Sequence, residues 1–221
     1  MRLSRFVAAF LFVFATTQFG FAQAADTRYR VCLDPGHGGS DPGAVYGGLS
    51  EKHLNLDIAR RVETALGSTL YVTQLTRTGD TALGNSDRAA ICNAFGAQVV
   101  LSIHLNASTD RNVDYVWFFY GKPSKDKAFT ATMDREYAIL RPEDSGKESG
   151  VKLLHKAITN FANGTLLKSK APAALAEGLF MSNTLENSLL ADASTDPTVP
   201  PNRRQQIANE LVKGIRAWFG P

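Results

Sequence analysis

Short apolar runs alternate with amphipathic helical segments along most of this 221-residue chain, and no other feature restricts its fold as strongly. The apolar runs predict strands at residues 29–33, 70–75, 98–103, 115–120 and 173–176. Apolar residues at helical spacing predict helices at 51–66, 88–95, 125–140, 151–161 and 202–219, with a polar loop at 141–147. Strands that alternate with helices form a mostly parallel sheet with helices on its faces. We therefore expect an α/β fold, a three-layer sandwich around a sheet of about six strands.

The N-terminus has the features of a secretory signal peptide. Arg2 and Arg5 precede an apolar run at residues 6–15, and small residues follow as far as Ala24. The apolar run is too short for an ordinary membrane span, although an uncleaved N-terminal anchor is the alternative. We predict cleavage after Ala24, which leaves one catalytic domain at residues 25–221 in a secreted or periplasmic protein.

The charge of the chain excludes some classes of partner. The 24 basic and 21 acidic side chains give a net charge of +3. Two of the basic residues lie in the predicted signal peptide, so the mature chain keeps 22 against 21, or about +1. Such a balance indicates neither nucleic acid nor an anionic membrane surface as a partner. No later segment is long and apolar enough to span a bilayer, and we expect a monomer.

The two cysteines allow one disulfide. Cys32 falls in the first predicted strand and Cys92 in a predicted helix, so both side chains should be buried. An oxidising compartment would permit a bridge between them, whereas two buried free thiols are equally compatible with the sequence. Neither cysteine has the spacing of a metal ligand.

Two histidines and one glutamate suggest a catalytic zinc site. His37 and His104 each follow an apolar run that reads as a strand, and Glu51 opens the first amphipathic helix after Ser50, a plausible N-cap. The carboxyl ends of parallel strands meet at one edge of a sheet, so all three side chains can converge there. Two imidazoles and one carboxylate leave one position open on tetrahedral Zn²⁺, as in catalytic sites. Taken alone, Glu51 could instead be an acidic residue that favours the helix dipole.

Glu177 is the candidate catalytic base. It closes the short apolar run at 173–176 and should therefore lie at the same edge of the sheet. Zinc hydrolases need a carboxylate that does not bind the metal, because a proton must pass from water to the leaving group. Glu186 is the rival, but its surroundings are more typical of the start of a helix.

Several polar residues near these positions have two interpretations. Asp34 and Asn106 flank the proposed ligands, so they could hydrogen-bond to them or serve in turns. Arg77 and Arg88 could bind substrate, although we favour structural ion pairs. We expect His53 to face solvent from the first helix, and His155 to be an exposed helical residue.

The motifs together identify a family. The chain resembles the zinc-dependent N-acetylmuramoyl-L-alanine amidases of the Amidase_3 type in segments that keep the family's order: Leu33-Asp-Pro-Gly-His37-Gly-Gly, Ser50-Glu51-Lys, Asn55-Leu-Asp-Ile-Ala59, Leu75-Thr-Arg77, Arg88, Ser102-Ile-His104-Leu-Asn106-Ala and Glu177-Gly-Leu-Phe-Met-Ser182-Asn183. The stretch 129–168 matches the family poorly.

The resemblance implies hydrolysis of the amide between the lactyl group of N-acetylmuramic acid and L-alanine in peptidoglycan or muropeptides. It implies zinc held by His37, Glu51 and His104, with Glu177 as the catalytic residue. A zinc peptidase or carboxypeptidase that cuts within the stem peptide would use the same metal chemistry and is one alternative. A non-catalytic module that binds the cell wall is the other.

Overall fold

A computed structural model describes residues 26–143, 147–192 and 202–220, so the predicted signal peptide and its cleavage site lie outside the described residues. The strands are β1 (Tyr29–Pro35), β2 (Val45–Tyr46), β3 (Leu49–Ser50), β4 (Tyr71–Leu75), β5 (Val99–Asn106), β6 (Trp117–Tyr120), β7 (Leu140–Pro142), β8 (Glu148–Lys152), β9 (Thr159–Asn160) and β10 (Ala173–Phe180). The helices are α1 (Glu51–Leu66), α2 (Asn85–Phe95), α3 (Pro123–Glu136), α4 (Gly164–Lys168), α5 (Thr184–Ala191) and α6 (Arg203–Phe219).

A six-stranded sheet forms the centre of the fold, with strand order β4-β1-β5-β10-β6-β9. The four strands β4, β1, β5 and β10 are parallel, β6 is antiparallel to β10, and β9 is parallel to β6. Within the described residues, β2 pairs with β3 and β7 pairs with β8, each pair being antiparallel. The predicted mostly parallel sheet of about six strands is confirmed.

Helices cover both faces of the sheet. On one face α1 and α3 pack against the strands, α6 packs against both of these helices, and together they enclose the larger apolar core. On the other face α2 and α4 pack together over a smaller core that contains Val100, Leu166 and Leu175. The apolar residues of α1 recur every three or four positions, so one side of that helix is buried while the other faces water. The predicted three-layer arrangement is therefore confirmed.

Most predicted elements are present, although several boundaries differ. Strand β10 was expected to end before Glu177, but it continues to Phe180, with an irregular register between those two residues. His104 likewise lies within β5 rather than beyond it. Helix α3 ends at Glu136, earlier than predicted, because Tyr137 takes an extended backbone and Leu140–Pro142 forms β7.

The predicted helix at 151–161 is wrong. This segment contributes to β8 and β9, and between them Val116 pairs with His155 as an isolated bridge. The backbone amide of Val116 donates to the carbonyl of Leu154 at 2.8 Å, and that of Phe161 donates to the carbonyl of Tyr120 at 2.9 Å. The backbone groups of residues 154–161 thus form hydrogen bonds with the outer edge of β6. In a helix the same groups would have bonded to one another.

Cys32 and Cys92 form a disulfide that joins β1 to α2 across 60 residues of sequence. Both side chains are fully buried in the smaller core. Of the two alternatives that the sequence left open, the structure has the bridge. Among the helices within the described ranges, none combines the length and the apolar character that a membrane span requires.

Candidate metal centre and active site

His37, Glu51 and His104 converge at the carboxyl edge of the parallel strands. Each residue offers one ligand atom, and these atoms all lie within 4.8 Å of one another. His37 Nε2 is 3.1 Å from Glu51 Oε2, and His104 Nδ1 is 3.1 Å from Glu51 Oε1. The structure therefore brings together the three side chains that the sequence analysis selected. Two imidazoles around one buried carboxylate form a donor set that suits Zn²⁺.

His37 has an unusual backbone conformation. The residue follows β1 and has a φ of 60°, in the left-handed region that residues other than glycine seldom adopt. Its Nδ1 lies 2.8 Å from Asp41 Oδ2, so a carboxylate orients the ring while Nε2 points toward Glu51. Gly43 lies close by: a Cβ there would come within 2.5 Å of Glu51 Oε2. The loop thus brings a strained histidine and a glycine against the same carboxylate.

Glu51 is almost fully buried at the start of α1. The amide of Ala44 donates to Oε2 at 3.0 Å, while Asn55 Nδ2 and the amide of Leu105 donate to Oε1 at 3.1 and 3.2 Å. A buried carboxylate with several donors has a fixed orientation. The functional interpretation of Glu51 is thus better supported than a helix-dipole role, because its oxygens point into the fold toward the histidines.

His104 packs directly against the glycine loop. A Cβ on Gly36 would lie 2.1 Å from Cε1 and 2.3 Å from Nε2 of the His104 ring. Real Cβ atoms do not approach other atoms so closely, so only glycine fits there without displacing the ring. The glycine at position 36 therefore lets the backbone approach the imidazole closely.

Glu177 lies beside the three candidate ligands. In the sheet it is directly paired with His104 of β5 on one side and with Trp117 of β6 on the other. Its Oε2 is buried, and no hydrogen-bond partner for that atom is found among the described residues. Burial raises the pKa of Glu177 to about 7, although the nearby His104 opposes the shift. A carboxyl group that titrates near neutral pH can both accept and donate a proton there.

The protonation of the candidate ligands follows from their contacts. Burial by itself would lower the pKa of His37, but hydrogen bonds and charge from Glu51 and Asp41 raise it to about 9. Burial would raise the pKa of Glu51, but His104 and His37 outweigh this effect and hold that pKa well below its ordinary value. The site around Glu51 therefore favours positive charge on its partners. A divalent cation can supply that charge in place of the protons on the imidazoles.

A pocket of about 330 Å³ opens over the site. Its lining includes His37, His104 and Glu177 together with Asn85, Phe161, Asn163 and Thr165. Helix α2, the segment after β9 and α4 therefore contribute to the pocket beside the candidate site residues.

Asp34, Arg88 and Arg77 support the loop that carries His37. Asp34 is buried and accepts hydrogen bonds from Thr76, Arg88 and Ser102 at 2.6, 2.9 and 2.7 Å. Arg77 donates to the carbonyls of Pro35, Gly36, Gly79 and Lys52. The structural interpretation of both arginines is thus supported, although their main partners are backbone carbonyls. Asp34 contacts none of the ligand side chains directly and instead fixes Arg88.

The other candidates have local roles. Asn106 accepts a hydrogen bond from the amide of Ala107, as in a turn. Glu186 is fully buried in α5, pairs with Arg203 at 2.7 Å and does not line the pocket. The His53 side chain is 65% exposed, as predicted. His155 is not helical, contrary to the prediction, and its Nδ1 lies 2.8 Å from Asp134.

Sequence reasoning gave no role to Asp41 or Phe161, and it quoted Asn55 only as part of a family motif. Asp41 is four residues after His37, and Asn55 is four residues after Glu51 on α1, a spacing that places side chains together on a helix. That spacing could have indicated Asn55. Phe161 could not be found in this way, because it was placed in the predicted helix at 151–161.

Comparison with known proteins places this chain in a family. The family model described as N-acetylmuramoyl-L-alanine amidase matches residues 31–217. Among curated relatives, AmiC of Neisseria meningitidis is 30% identical over 234 residues, covering 87% of this chain and 53% of that protein. AmiA of Salmonella typhimurium is 30% identical over 230 residues, covering 87% of this chain and 77% of that protein. The chain thus spans about half of the first relative and three quarters of the second.

Among solved structures, the catalytic domain of CwlV, an amidase from Bacillus (Paenibacillus) polymyxa, superposes with a TM-score of 0.71 at 27% identity. The match covers 86% of this chain and 98% of that domain. The family match at residues 31–217 therefore includes all but the first two residues of the central sheet, the residues that line the pocket and all four candidate site residues. This chain belongs to the N-acetylmuramoyl-L-alanine amidase family.

Proposed function

We propose that this chain is a zinc-dependent peptidoglycan amidase. It hydrolyses the amide between the lactyl group of N-acetylmuramic acid and the L-alanine of the stem peptide. One observation carries this proposal beyond family membership: three ligand atoms converge within 4.8 Å beside Glu177, whose buried oxygen has no hydrogen-bond partner among the described residues. Metal-assisted hydrolysis needs both a metal with an open position and a carboxylate that does not bind it.

The residues fit a zinc ion. His37, Glu51 and His104 supply two nitrogens and one carboxylate, and Gly36 leaves room for the His104 ring. When bound, Zn²⁺ would polarise the scissile carbonyl and lower the pKa of a coordinated water molecule. Asp41 fixes the ring of His37, and Asn55 fixes Glu51, so the donor set is held before the metal binds.

Glu177 acts as general base and then as general acid. Its carboxylate takes a proton from the attacking water and returns it to the nitrogen of the departing L-alanine. Its raised pKa suits this exchange, because a carboxyl with an ordinary pKa would hold a proton too weakly at neutral pH. The direct pairing of Glu177 with His104 places the base next to the ligand set.

Product analysis tests the proposal. Purified protein is incubated with soluble muropeptides and with intact sacculi, with and without a chelator and with zinc restored, and the products are identified by mass spectrometry. We expect an intact stem peptide that begins with L-alanine, lost with chelator and recovered with zinc. Products shortened at a peptide bond would favour a zinc peptidase. Glycan binding without stoichiometric zinc and without cleavage, checked by metal analysis, would favour a non-catalytic wall-binding module.

We also propose that the chain is exported and works as a single-domain monomer at residues 25–221. The charged and apolar N-terminus and the Cys32–Cys92 disulfide support export, because disulfides persist in oxidising compartments. N-terminal sequencing of the exported protein should give a start near Ala25, and sedimentation should give the mass of one chain. An unprocessed N-terminus in the exported fraction would contradict cleavage.

A further inference from the structure

A row of aromatic side chains extends away from the pocket that contains Glu177, and Phe161 is its member in that pocket. We define the aromatic row as Tyr115, Trp117, Phe119 and Phe161. The ring centroids of Tyr115 and Trp117 are 6.1 Å apart, those of Trp117 and Phe119 are 4.6 Å apart, and those of Phe119 and Phe161 are 5.4 Å apart. Tyr115, Trp117 and Phe119 alternate along β6 and its approach, so they share one face of the sheet.

That face is the one that carries the catalytic residues. His104, Glu177 and Trp117 occupy directly paired positions on the three neighbouring strands β5, β10 and β6. Paired residues on adjacent strands point to the same face, so Glu177 lies between the candidate ligand His104 and the Trp117 ring. A substrate held at the metal and extending past Glu177 therefore meets the aromatic row.

The rings are held in place and partly open to solvent. Trp117 Nε1 donates to Thr159 Oγ1 at 3.0 Å and to the carbonyl of Ala157 at 3.2 Å, which fixes the edge of the indole. Phe161 is 47% exposed and lines the same pocket as Glu177, so the row is continuous with the active site. Lys156 covers one face of Tyr115, its Nζ lying 4.9 Å from the ring centroid. Trp117, Phe119 and Phe161 are thus the members placed to contact a ligand.

From this arrangement we propose that the aromatic row binds the glycan strand of the substrate, with its rings against the C–H faces of the sugar residues. The proposal rests on the amidase function proposed above. Pyranose rings have apolar faces that suit an aromatic wall, whereas stem peptides consist of small and charged residues that gain little from one. Ordered, partly exposed aromatic rings next to a polar catalytic group are typical of ligand sites.

Paired kinetic measurements test whether the aromatic row binds the glycan strand. Phe161→Ala is the main variant, because its exposed ring can be removed without opening the core. Two substrates carry the same stem peptide, one on a single muramic acid and one on a longer glycan chain. We expect kcat/KM to fall about fivefold to tenfold on the chain and less than about twofold on the single sugar, with Phe161→Tyr close to the parent. Leu70→Ala removes a side chain of similar exposure at the opposite end of the strands and should change neither rate.

Three outcomes would overturn the proposal. Equal losses on both substrates would indicate an effect on chemistry or folding rather than on glycan binding. On additional single-sugar substrates with stems of different length, losses that grow with stem length would assign the row to the peptide instead. Unchanged kcat/KM on both substrates would mean that the ring contacts neither part.

A binding measurement decides the proposal separately from catalysis. The chain has two tryptophans, so Trp218→Phe leaves Trp117 as the single indole reporter. We expect a saturable change in its fluorescence on titration with a peptide-free glycan of alternating N-acetylglucosamine and N-acetylmuramic acid, weakened about fivefold by Phe161→Ala. No change with glycan would overturn the proposal even in an active enzyme. Saturable binding by a protein without amidase activity would retain the glycan site and reject the proposed function.

Discussion

Arg88 donates a hydrogen bond of 2.7 Å from Nη2 to the carbonyl oxygen of His37. Its Nη1 donates to the carbonyl of Pro35 at 2.7 Å and to Asp34 Oδ1 at 2.9 Å. The planar guanidinium thus joins the end of β1, the loop after it and a buried carboxylate. The position of a candidate metal ligand therefore depends on a side chain that is not itself a ligand.

Replacement of this guanidinium should loosen the metal site. We expect Arg88→Lys to weaken zinc binding about 10- to 100-fold and to lower the free energy of unfolding by about 1–3 kcal/mol, because an ammonium cannot reach all the acceptors of the guanidinium. Chelator competition and denaturant unfolding measure the two effects. Arg60→Lys, at an exposed arginine that donates to the carbonyl of Thr78, is the matched control and should change little. Zinc binding as tight as in the parent would contradict this role for Arg88.

A methyl group at position 36 should disturb His104 while every ligand is kept. Gly36→Ala would place a Cβ 2.1–2.5 Å from three atoms of the imidazole, so either the ring or the loop must move. We expect zinc content and amidase activity to fall together, measured by elemental analysis and muropeptide hydrolysis. Gly79→Ala is the control, since the nearest atom to its Cβ would be 4.0 Å away. Full zinc occupancy in Gly36→Ala would show that the loop can give way without cost.

Loss of the carboxylate at position 177 should separate catalysis from metal binding. Glu177→Gln keeps the shape of the side chain but cannot carry a proton between water and leaving group. We expect a rate loss of about 10²- to 10⁴-fold with zinc retained at one ion per chain. Turnover is followed by release of stem peptide, and zinc by elemental analysis. Turnover within a few fold of the parent would assign the base elsewhere.

The buried Glu186 should make stability depend on pH. Burial raises its pKa to about 8, although Arg203 opposes the shift, while the unfolded value is near 4.5. The folded protein therefore keeps a proton that the unfolded chain releases. This contribution to stability is fully present below pH 4.5 and is lost as the pH rises through about 8.

Unfolding by urea between about pH 5 and 9 measures this dependence. The parent should lose stability relative to Glu186→Gln as the pH rises, because glutamine has no proton to release. Glu136→Gln, at a less buried carboxylate beside Arg135, is the control and should leave the slope unchanged. Parallel pH profiles for the parent and Glu186→Gln would contradict a raised pKa.

The disulfide should be a large contributor to stability. A bridge between residues 60 apart in sequence restricts the unfolded chain by about 4 kcal/mol in the chain-entropy estimate. We expect the double variant Cys32→Ser, Cys92→Ser to unfold at lower denaturant, and reduced parent protein to match it. A double variant as stable as the oxidised parent, with no response of the parent to reductant, would rule out this contribution.

The candidate ligands could be found from sequence because their signals are local. His37 follows an apolar run and a Pro-Gly pair, His104 lies within another apolar run, and Glu51 follows a plausible N-cap residue. Parallel topology then dictates that strand ends meet at one edge. Asp41 was missed because a short loop gives no periodicity from which contacts can be inferred. Glu186 was recognised as helical, but its burial against Arg203 depends on how α5 and α6 pack together.

The sequence by itself determined the order of the main strands and helices and the chemistry of the candidate site, because hydrophobic spacing, turn residues and ligand types belong to short stretches of chain. Only the tertiary structure decided what happens beyond β6. There residues 154–161 form backbone hydrogen bonds with the outer edge of β6. This pairing places Phe161 at the pocket. The physical reason is that an open strand edge gains hydrogen bonds from whichever segment lies beside it, and that neighbour is not encoded in the segment's own periodicity.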